Sequence, residues 1–581
     1  MSYRKKLDSS YRTIGILIFF SFWPILFNES IFGDSILNYE LIQNGYRSRL
    51  FSYHTNYGQP IYGLIYYVLS YLQPIILVHK IVAVLAIIFA GYYTYAVLDQ
   101  SEVFSRPASL SITLISLLFP LYSMWHEMTV LGYALSYVSL FAGVYYYWRI
   151  RTDQMNTFKI IVPVLLWAVA FELSSTIILF YLLIGLIALL DQKSSEKLRM
   201  AAISGFLRKE WYVLLYPIVY FLIGHVFLSQ PTYEYNAIKF DLHRIIDNGI
   251  ISAYGILVEP WVYFTHFIIN NPITTIVLTL NCVMITVFAY KMILESIDHI
   301  ENKVIQHSKI LIFCIIWILA CVMPYIIVGK PLRGYGYESR HTLLVLLPCS
   351  ILIFTALHYL CKNNQKRLYL LTSCVLCICL IMQLSNHVLW QNRYIKYAAL
   401  SAELSHIPQP SNRLIYLTDK APIGTRHKLR SIELHHYVKN AWKSNQYFVY
   451  SLNKDYTHLI RKLYAPPRQP LQVFRQPWLM DLDMSVAKKP DNQVKSDVIA
   501  IKNRMHFNKV HRIMNDVGAY TLPYEPYDGR QAEMFTHITI DRSDNYEEGY
   551  IFWTYLWSKL TGDEDFLMSI LDIKLTQISF D

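Results

Sequence analysis

The C-terminal third of the chain contains no cysteine, and the whole sequence contains no common nucleotide-binding motif. The eight cysteines end at residue 379, so the C-terminal third has no disulfide and no cysteine-based zinc site. The sequence contains neither a GxxxxGKS/T loop nor a GxGxxG motif after a strand, which argues against nucleotide binding. The basic start MSYRKK leads into an apolar stretch with no small-residue cleavage site. We therefore expect an uncleaved first membrane helix.

Charged residues are scarce in the first two thirds of the chain and common in the rest. Residues 1–386 hold about 47 charged side chains and residues 387–581 about 46, so charge density roughly doubles at that boundary. The composition is 54% hydrophobic and 15% aromatic, which is typical of membrane proteins. We predict a transmembrane domain at 1–387 and an extracytoplasmic α/β or α+β domain at 388–581.

Long apolar runs predict a multi-pass helical membrane domain of about eleven spans. We place the spans at 11–28, 76–98, 108–124, 130–149, 158–173, 174–191, 211–229, 271–291, 309–329, 341–361 and 368–387. With the N-terminus inside, the inner loops carry about 19 Lys and Arg and the outer loops about eight, as the positive-inside rule requires. The net charge of +11 is largely explained by these loops, so we expect membrane lipids and no nucleic acid as partners.

Two outer loops and the C-terminal region contain further predicted elements. Short apolar stretches in the loops at 29–75 and 229–270 favour interfacial helices. In the C-terminal region, RLIYLTD (413–419) and FTHITID (535–541) are typical of strands. The segments 430–444 and 547–560 are typical of helices.

Asp34 is the leading candidate for catalysis, because it lies just past the first apolar helix, where a carboxylate reaches both water and the helix bundle. An acid in that place could remove a proton from an acceptor, or it could cap a helix beginning at Ser35; the residues leave both open. Glu40, six residues further on, is expected to support the structure by pairing with Arg47 or Arg49.

Other polar residues are candidates for lining a pocket at the same membrane face. His54 closes the first outer loop, and His126 and Glu127 occupy a short outer turn. Glu172 interrupts an apolar run, so it must face protein or a cavity, although an interfacial position between two short helices would also explain it. The spacing of these residues supplies no metal-binding motif, and a divalent metal is left open.

Three cations, Lys330, Arg333 and Arg340, fall in one short outer loop, against the positive-inside bias. An anionic ligand such as a lipid phosphate would account for them. Anchoring to lipid headgroups is the alternative. The Gly and Tyr residues of RGYGYESR favour a shaped loop over a plain anchor.

These motifs together resemble one family. The first helix is followed by Gly33-Asp34-Ser35, then Glu40, then His54 with QPIYGL. This order, with FELSS (171–175) and SRHTLLVLLP (339–348), resembles the GT-C superfamily of polyprenyl-phosphate-sugar glycosyltransferases, which includes the lipid A aminoarabinose transferase and the protein O-mannosyltransferases. The resemblance covers about residues 1–390. Ser35 stands where that family usually has a second acid.

The resemblance implies a glycosyltransferase of the bacterial inner membrane. It would move a sugar from a polyprenyl-phosphate donor to a glycan, lipid or protein acceptor on the outer face. Asp34 would be the base or a metal ligand, and Arg340, with Lys330 or Arg333, would hold the donor phosphate. Two alternatives remain: a transporter or flippase for a lipid-linked glycan, and a non-catalytic membrane scaffold that presents the C-terminal domain.

Overall fold

The computed structural model describes most of the chain outside its longer loops. The described residues are 3–32, 34–43, 45–56, 59–101, 103–152, 157–174, 176–190, 200–223, 241–295, 307–362, 364–411, 414–421, 431–443, 448–451, 534–543, 551–562 and 565–579. Two compact units are present. The first unit comprises Met1–Phe27 and Leu50–His387, and the second unit comprises Asn28–Arg49 and Val388–Asp581. Residues 28–49, predicted as an outer loop of the transmembrane domain, thus belong to the second unit.

Helices dominate the chain up to residue 406. In chain order they are α1 (Tyr3–Phe22), α2 (Asp34–Gln43), α3 (Arg47–Asn56), α4 (Pro60–Leu69), α5 (Ile75–Gln100), α6 (Arg106–Leu118), α7 (Leu131–Thr152), α8 (Ile161–Leu173), α9 (Ile177–Leu190), α10 (Met200–Ile223), α11 (Leu242–Leu257), α12 (Glu259–Asn270), α13 (Pro272–Glu295), α14 (His307–Ile327), α15 (Leu346–Cys361) and α16 (Gln365–His406). A 3₁₀ helix, Tyr337–Val345, precedes α15.

Six stretches of the described residues are long and apolar enough to cross a bilayer, so the chain is a helical membrane protein. They are Ser9–Phe27, Ile75–Gln100, Pro272–Glu295, Ile310–Ile327, Glu338–Cys361 and Gln365–His406. Each of the eleven predicted spans overlaps a helix, but the count of eleven is not reached. One reason is length: α6 and α8 have 13 residues each, about 20 Å, against a hydrocarbon core of about 30 Å.

Outward-facing apolar stripes and close helix contacts are what a lipid environment favours. On α13, Ile276, Leu280 and Met284 repeat every four residues and are 59%, 62% and 64% exposed. Such a stripe on a water-facing surface would be unfavourable, whereas lipid accepts it. Inside the unit, a Cβ at Gly143 of α7 would lie 2.4 Å from Nε1 of Trp167 on α8. Only glycine lets these two helices approach so closely.

The second unit contains a four-stranded mixed sheet in the order β2–β1–β3–β4. Its strands are β1 (Leu414–Asp419), β2 (Phe448–Ser451), β3 (Met534–Arg542) and β4 (Leu571–Ser579), and its C-terminal helices are α17 (Ser431–Trp442), α18 (Ile551–Thr561) and α19 (Asp565–Met568). Strand β1 runs parallel to both β2 and β3, and β4 runs antiparallel to β3. A parallel pair needs a crossover, which the segment containing α17 supplies between β1 and β2. The strands predicted at 413–419 and 535–541 correspond to β1 and β3.

The C-terminal half of α16 is fixed to the second unit by buried ion pairs. Arg393 Nη2 lies 2.9 Å from Glu433 Oε2 on α17, and Lys396 Nζ lies 2.7 Å from Asp419 Oδ2 at the end of β1. All four side chains are less than one tenth exposed. The predicted span ended at His387, where the apolar run stops, but α16 continues for 19 further residues. The two buried ion pairs account for this continuation.

Candidate functional site

The predicted site residues divide between the two units. His54, Glu127, Glu172, Lys330, Arg333 and Arg340 lie in the first unit, and Asp34 and Glu40 lie in the second. The side chains of Asp34 and His126 lie outside the described part of the structure.

The loop that carries Lys330 and Arg333 is held by helices α11 and α12. The N–H of Leu332 donates to Ser252 Oγ at 2.9 Å, and the N–H of Gly334 donates to Glu259 Oε2 at 2.8 Å. A Cβ at Gly255 would lie 2.2 Å from the Leu332 carbonyl oxygen, so glycine is required for this approach. The loop is therefore shaped by specific contacts, as the sequence predicts.

Arg333 differs from the other two cations in that it forms an ion pair with Glu259. Its Nη1 lies 3.7 Å from Glu259 Oε1, and the ring of the nearby Tyr335 stacks on Tyr263 with centroids 4.0 Å apart. Burial raises the pKa of Glu259, while the N–H of Gly334 and the charge of Arg333 oppose that rise. Arg333 thus holds the loop on α12, and its charge is already compensated by a carboxylate.

Lys330 precedes the 3₁₀ helix and Arg340 lies within it, and the charges of the two side chains act on each other. Burial and, to a smaller extent, the charge of Arg340 lower the pKa of Lys330 to about 8, while the charge of Glu338 opposes the shift. Glu338 is also engaged by His341, whose Nε2 lies 3.0 Å from Glu338 Oε2. Two cations and one half-exposed carboxylate leave an excess positive charge here, which suits a monoanionic group.

Tyr122 is close in space to the 3₁₀ helix that carries Arg340, although no pattern in the sequence selects it. The chain beside Tyr122 is fixed to the 3₁₀ helix, since the N–H of Ser123 donates to Ser339 Oγ at 3.2 Å and Thr342 Oγ1 donates to the Leu121 carbonyl at 2.8 Å. Tyr122 is fully buried, and the charge of Arg340 acts on its hydroxyl. A tyrosine in a predicted membrane segment carries no pattern that could have revealed this position.

His54 is enclosed by aromatic rings. It stacks on Tyr66 with ring centroids 5.4 Å apart, contacts Tyr62 at 4.8 Å, and is 5% exposed. The Tyr66 hydroxyl donates to the Met128 carbonyl at 2.7 Å. Burial lowers the pKa of His54 to about 3, so the imidazole is neutral at physiological pH. This environment suits a side chain that shapes the wall of a site rather than one that accepts a proton.

Glu172 caps the short helix α4. Its Oε1 accepts the N–H groups of Ile61 and of Tyr62, the latter at 3.0 Å, and the Tyr220 hydroxyl donates to its Oε2 at 3.4 Å. Helix α4 has no side-chain cap of its own, since Gln59 makes none. Glu172 faces protein, as predicted, and supplies the missing acceptor from another helix.

Glu127 is buried at the junction of two 3₁₀ turns, and its side chain is 3% exposed. Its N–H donates to the Met124 carbonyl at 3.0 Å, and its carbonyl accepts the N–H of Val130 at 3.1 Å. The next residue, Met128, accepts the Tyr66 hydroxyl. Glu127 therefore adjoins the aromatic group around His54.

Glu40 and Asp34 share helix α2 in the second unit. Glu40 Oε1 lies 3.0 Å from His436 Nδ1 and 3.2 Å from Lys439 Nζ, both on α17. These contacts give Glu40 a structural role and explain why residues 28–49 cluster with the C-terminal residues. Helix α2 begins at Asp34 itself, one residue before the start that the capping alternative assumed. In the described residues, no three His, Cys, Asp or Glu side chains group as metal ligands.

Comparison with known proteins identifies no relative of this chain. No family model, no curated protein and no solved structure matches the chain. The resemblance to GT-C glycosyltransferases therefore stays a prediction that rests on the motifs themselves.

Proposed function

We propose that this protein is a GT-C-type glycosyltransferase that takes a sugar from a polyprenyl-phosphate donor. The observation that carries the proposal is the loop that α11 and α12 hold in shape, with Lys330 at its start and Arg340 in the 3₁₀ helix that follows it. Cations in so constrained a loop suit a specific phosphate better than general attraction to headgroups. Arg333 supports the loop through Glu259, so the donor phosphate is assigned to Lys330 and Arg340.

The reaction is proposed to proceed with inversion. An acceptor hydroxyl attacks the anomeric carbon, and the bond from that carbon to the phosphate oxygen breaks. Asp34 takes the hydroxyl proton, and the polyprenyl phosphate leaves with the bonding electrons. Lys330 and Arg340 stabilise the negative charge that develops on the leaving phosphate. His54, Glu127 and Glu172 keep α4 and its surroundings in place, with His126 in the same turn as Glu127, and Glu40 orders helix α2.

The proposed setting is the outer face of a bacterial inner membrane. The distribution of Lys and Arg between loops favours a cytoplasmic N-terminus, and the acceptor would be a glycan, a lipid or a protein. The C-terminal residues, with their sheet, would form an extracytoplasmic domain that binds the acceptor.

The test is to compare Arg340→Gln with Arg333→Gln in the purified full-length chain. Arg340→Gln is expected to weaken binding of fluorescent farnesyl phosphate by about 10- to 100-fold, because it removes one charge-assisted contact. Arg333→Gln should change binding less and lower the thermal unfolding midpoint instead. Transfer of labelled sugar from a farnesyl-phosphate sugar, measured alongside, tests the activity itself. Equal binding by wild type and Arg340→Gln would contradict the proposed phosphate site.

Binding of the phosphate should also depend on the protonation of Lys330. With a pKa of about 8, its ammonium group is largely charged at pH 7 and largely neutral at pH 9, so affinity should fall across that interval. Arg340, Glu338 and the Arg244 guanidinium against Gly329 are the charged groups nearby. Lys330→Arg should flatten the profile, because arginine stays protonated throughout. A wild-type profile that is flat from pH 7 to 9 would contradict the role of Lys330.

A further inference from the structure

Tyr122 is a buried tyrosine close to the 3₁₀ helix that carries Arg340. The side chain is 0% exposed, and within the described residues its hydroxyl has no hydrogen-bond partner. A buried hydroxyl without a partner destabilises the folded protein. Native structures rarely keep such a group, and a role in binding a ligand is one physical reason for it.

The surroundings of this hydroxyl point to an anionic ligand. Arg340 is the cation that acts on it, and the hydroxyls of Tyr133, Tyr62 and Tyr325 are its other electrostatic neighbours. Tyr325 in turn packs on His341, with ring centroids 4.6 Å apart. The Tyr122 hydroxyl is therefore subject to the charge of Arg340 and also interacts with Tyr62, which packs on His54.

The residues on either side of Tyr122 in the chain are hydrogen-bonded to the 3₁₀ helix. Residue 121 accepts the Thr342 hydroxyl at 2.8 Å, and Ser123 Oγ lies 3.0 Å from Ser339 Oγ. The ring also packs on Trp125, with centroids 4.2 Å apart. A phenol that is fixed by its neighbours donates with little loss of side-chain entropy, which favours binding. Burial also raises its pKa, so the proton stays on the oxygen.

We propose that the Tyr122 hydroxyl donates a hydrogen bond to a phosphate oxygen of the ligand held by Lys330 and Arg340. This inference rests on the proposed phosphate site and adds an uncharged hydrogen-bond donor to its two cations. A hydroxyl donor discriminates by position as well as charge, because it requires an acceptor oxygen within about 3 Å. Tyr122 would thus favour a phosphate within hydrogen-bonding distance of its hydroxyl over an anion that only the two cations attract.

The experiment uses Tyr122→Phe, which removes the hydroxyl and keeps the ring. Tyr137→Phe is the matched control, since Tyr137 is also fully buried with no hydroxyl partner among the described residues, but its electrostatic neighbour is Cys321. We expect Tyr122→Phe to weaken binding of farnesyl phosphate by about 10- to 100-fold and Tyr137→Phe to leave it unchanged. Neither variant should lower the thermal unfolding midpoint, because neither loses a hydrogen bond within the protein. Farnesol, which lacks the phosphate, should bind both variants and wild type alike.

The outcomes separate this inference from the proposed function. Wild-type affinity in Tyr122→Phe together with weak binding in Arg340→Gln overturns the role of Tyr122 and leaves the phosphate site intact. Wild-type affinity in both variants overturns both. Weak binding in Tyr122→Phe alone supports Tyr122 and removes Arg340 from the site. If Tyr122→Phe fails to fold, 3-fluorotyrosine at position 122 keeps the hydroxyl, and its fluorine resonance should shift when farnesyl phosphate is added; an unchanged resonance overturns the inference.

Discussion

Replacing Asp34 by Asn is expected to lower sugar transfer by about 100- to 10,000-fold, the range over which a positioned general base contributes. Asparagine keeps the size of the side chain and is equally favourable at the start of a helix, so α2 should form as before. The variant loses only the ability to accept a proton. The measurement is the single-turnover rate of transfer from a farnesyl-phosphate sugar, with binding of farnesyl phosphate measured in parallel and expected to stay unchanged.

Glu40→Gln is the matched control for Asp34→Asn, because it neutralises a second acid on the same helix. Its carboxylate pairs with His436 and Lys439, so the expected result is a lower thermal unfolding midpoint with a much smaller change in transfer rate. Transfer at the wild-type rate in Asp34→Asn would remove Asp34 as the base. Movement of the lipid across vesicles without any sugar transfer by wild type would favour the transporter, and absence of lipid binding would favour the scaffold.

Hydropathy was enough to locate the helices of the first unit but not to count its crossings. Every predicted span overlaps a helix, because a run of apolar residues must satisfy its backbone hydrogen bonds internally. Helix α7 shows why the count differs: its 22 residues include five tyrosines and two arginines, which lower its hydropathy without breaking the helix. The short helix α6 is buried by neighbouring protein. All ten residues from Ser109 to Leu118 are buried, and each has a hydrophobic or a hydroxyl side chain.

The partners of charged residues could not be predicted, because they depend on segments far apart in the chain. The sequence suggested Arg47 or Arg49 for Glu40, and the structure adds His436 and Lys439, almost 400 positions away. Glu259 was not selected at all, although its contacts with Gly334 and Arg333 set the cationic loop. A lone glutamate in an interfacial segment has no pattern that separates this role from exposure to solvent.

Local chemistry indicated the cationic loop, whose residues lie close together in the sequence. The cationic loop stood out because its charge opposes the positive-inside bias, and its Gly and Tyr spacing matches the contacts of Gly334 with Glu259 and of Tyr335 with Tyr263. Tyr122 could not be found this way. Its position depends on hydrogen bonds from residues 121 and 123 to the 3₁₀ helix more than 200 residues later.

Replacing Glu433 by Ala is expected to destabilise the protein by about 3–5 kcal/mol, since it leaves a buried guanidinium without its carboxylate. Arg393 Nη2 lies 3.0 Å and 2.9 Å from the two Glu433 oxygens, and Glu433 is 1% exposed. The Tyr397 hydroxyl loses the same acceptor. The measurement is the thermal unfolding midpoint in detergent, followed by a probe in the second unit such as the fluorescence of Trp442, which is buried on α17.

An exposed ion pair in the same unit gives the control for Glu433→Ala. Asp572 and Lys574 on β4 are 53% and 69% exposed at 3.5 Å, so Asp572→Ala should cost less than about 1 kcal/mol. The double variant Arg393→Met with Glu433→Leu should recover much of the lost stability, because a buried pair can be replaced by apolar side chains of similar volume. An unfolding midpoint for Glu433→Ala equal to that of Asp572→Ala would show that α16 is held to α17 by apolar packing alone. In that case the continuation of α16 beyond His387 would depend on contacts such as Phe32 against Trp390 and not on its charges.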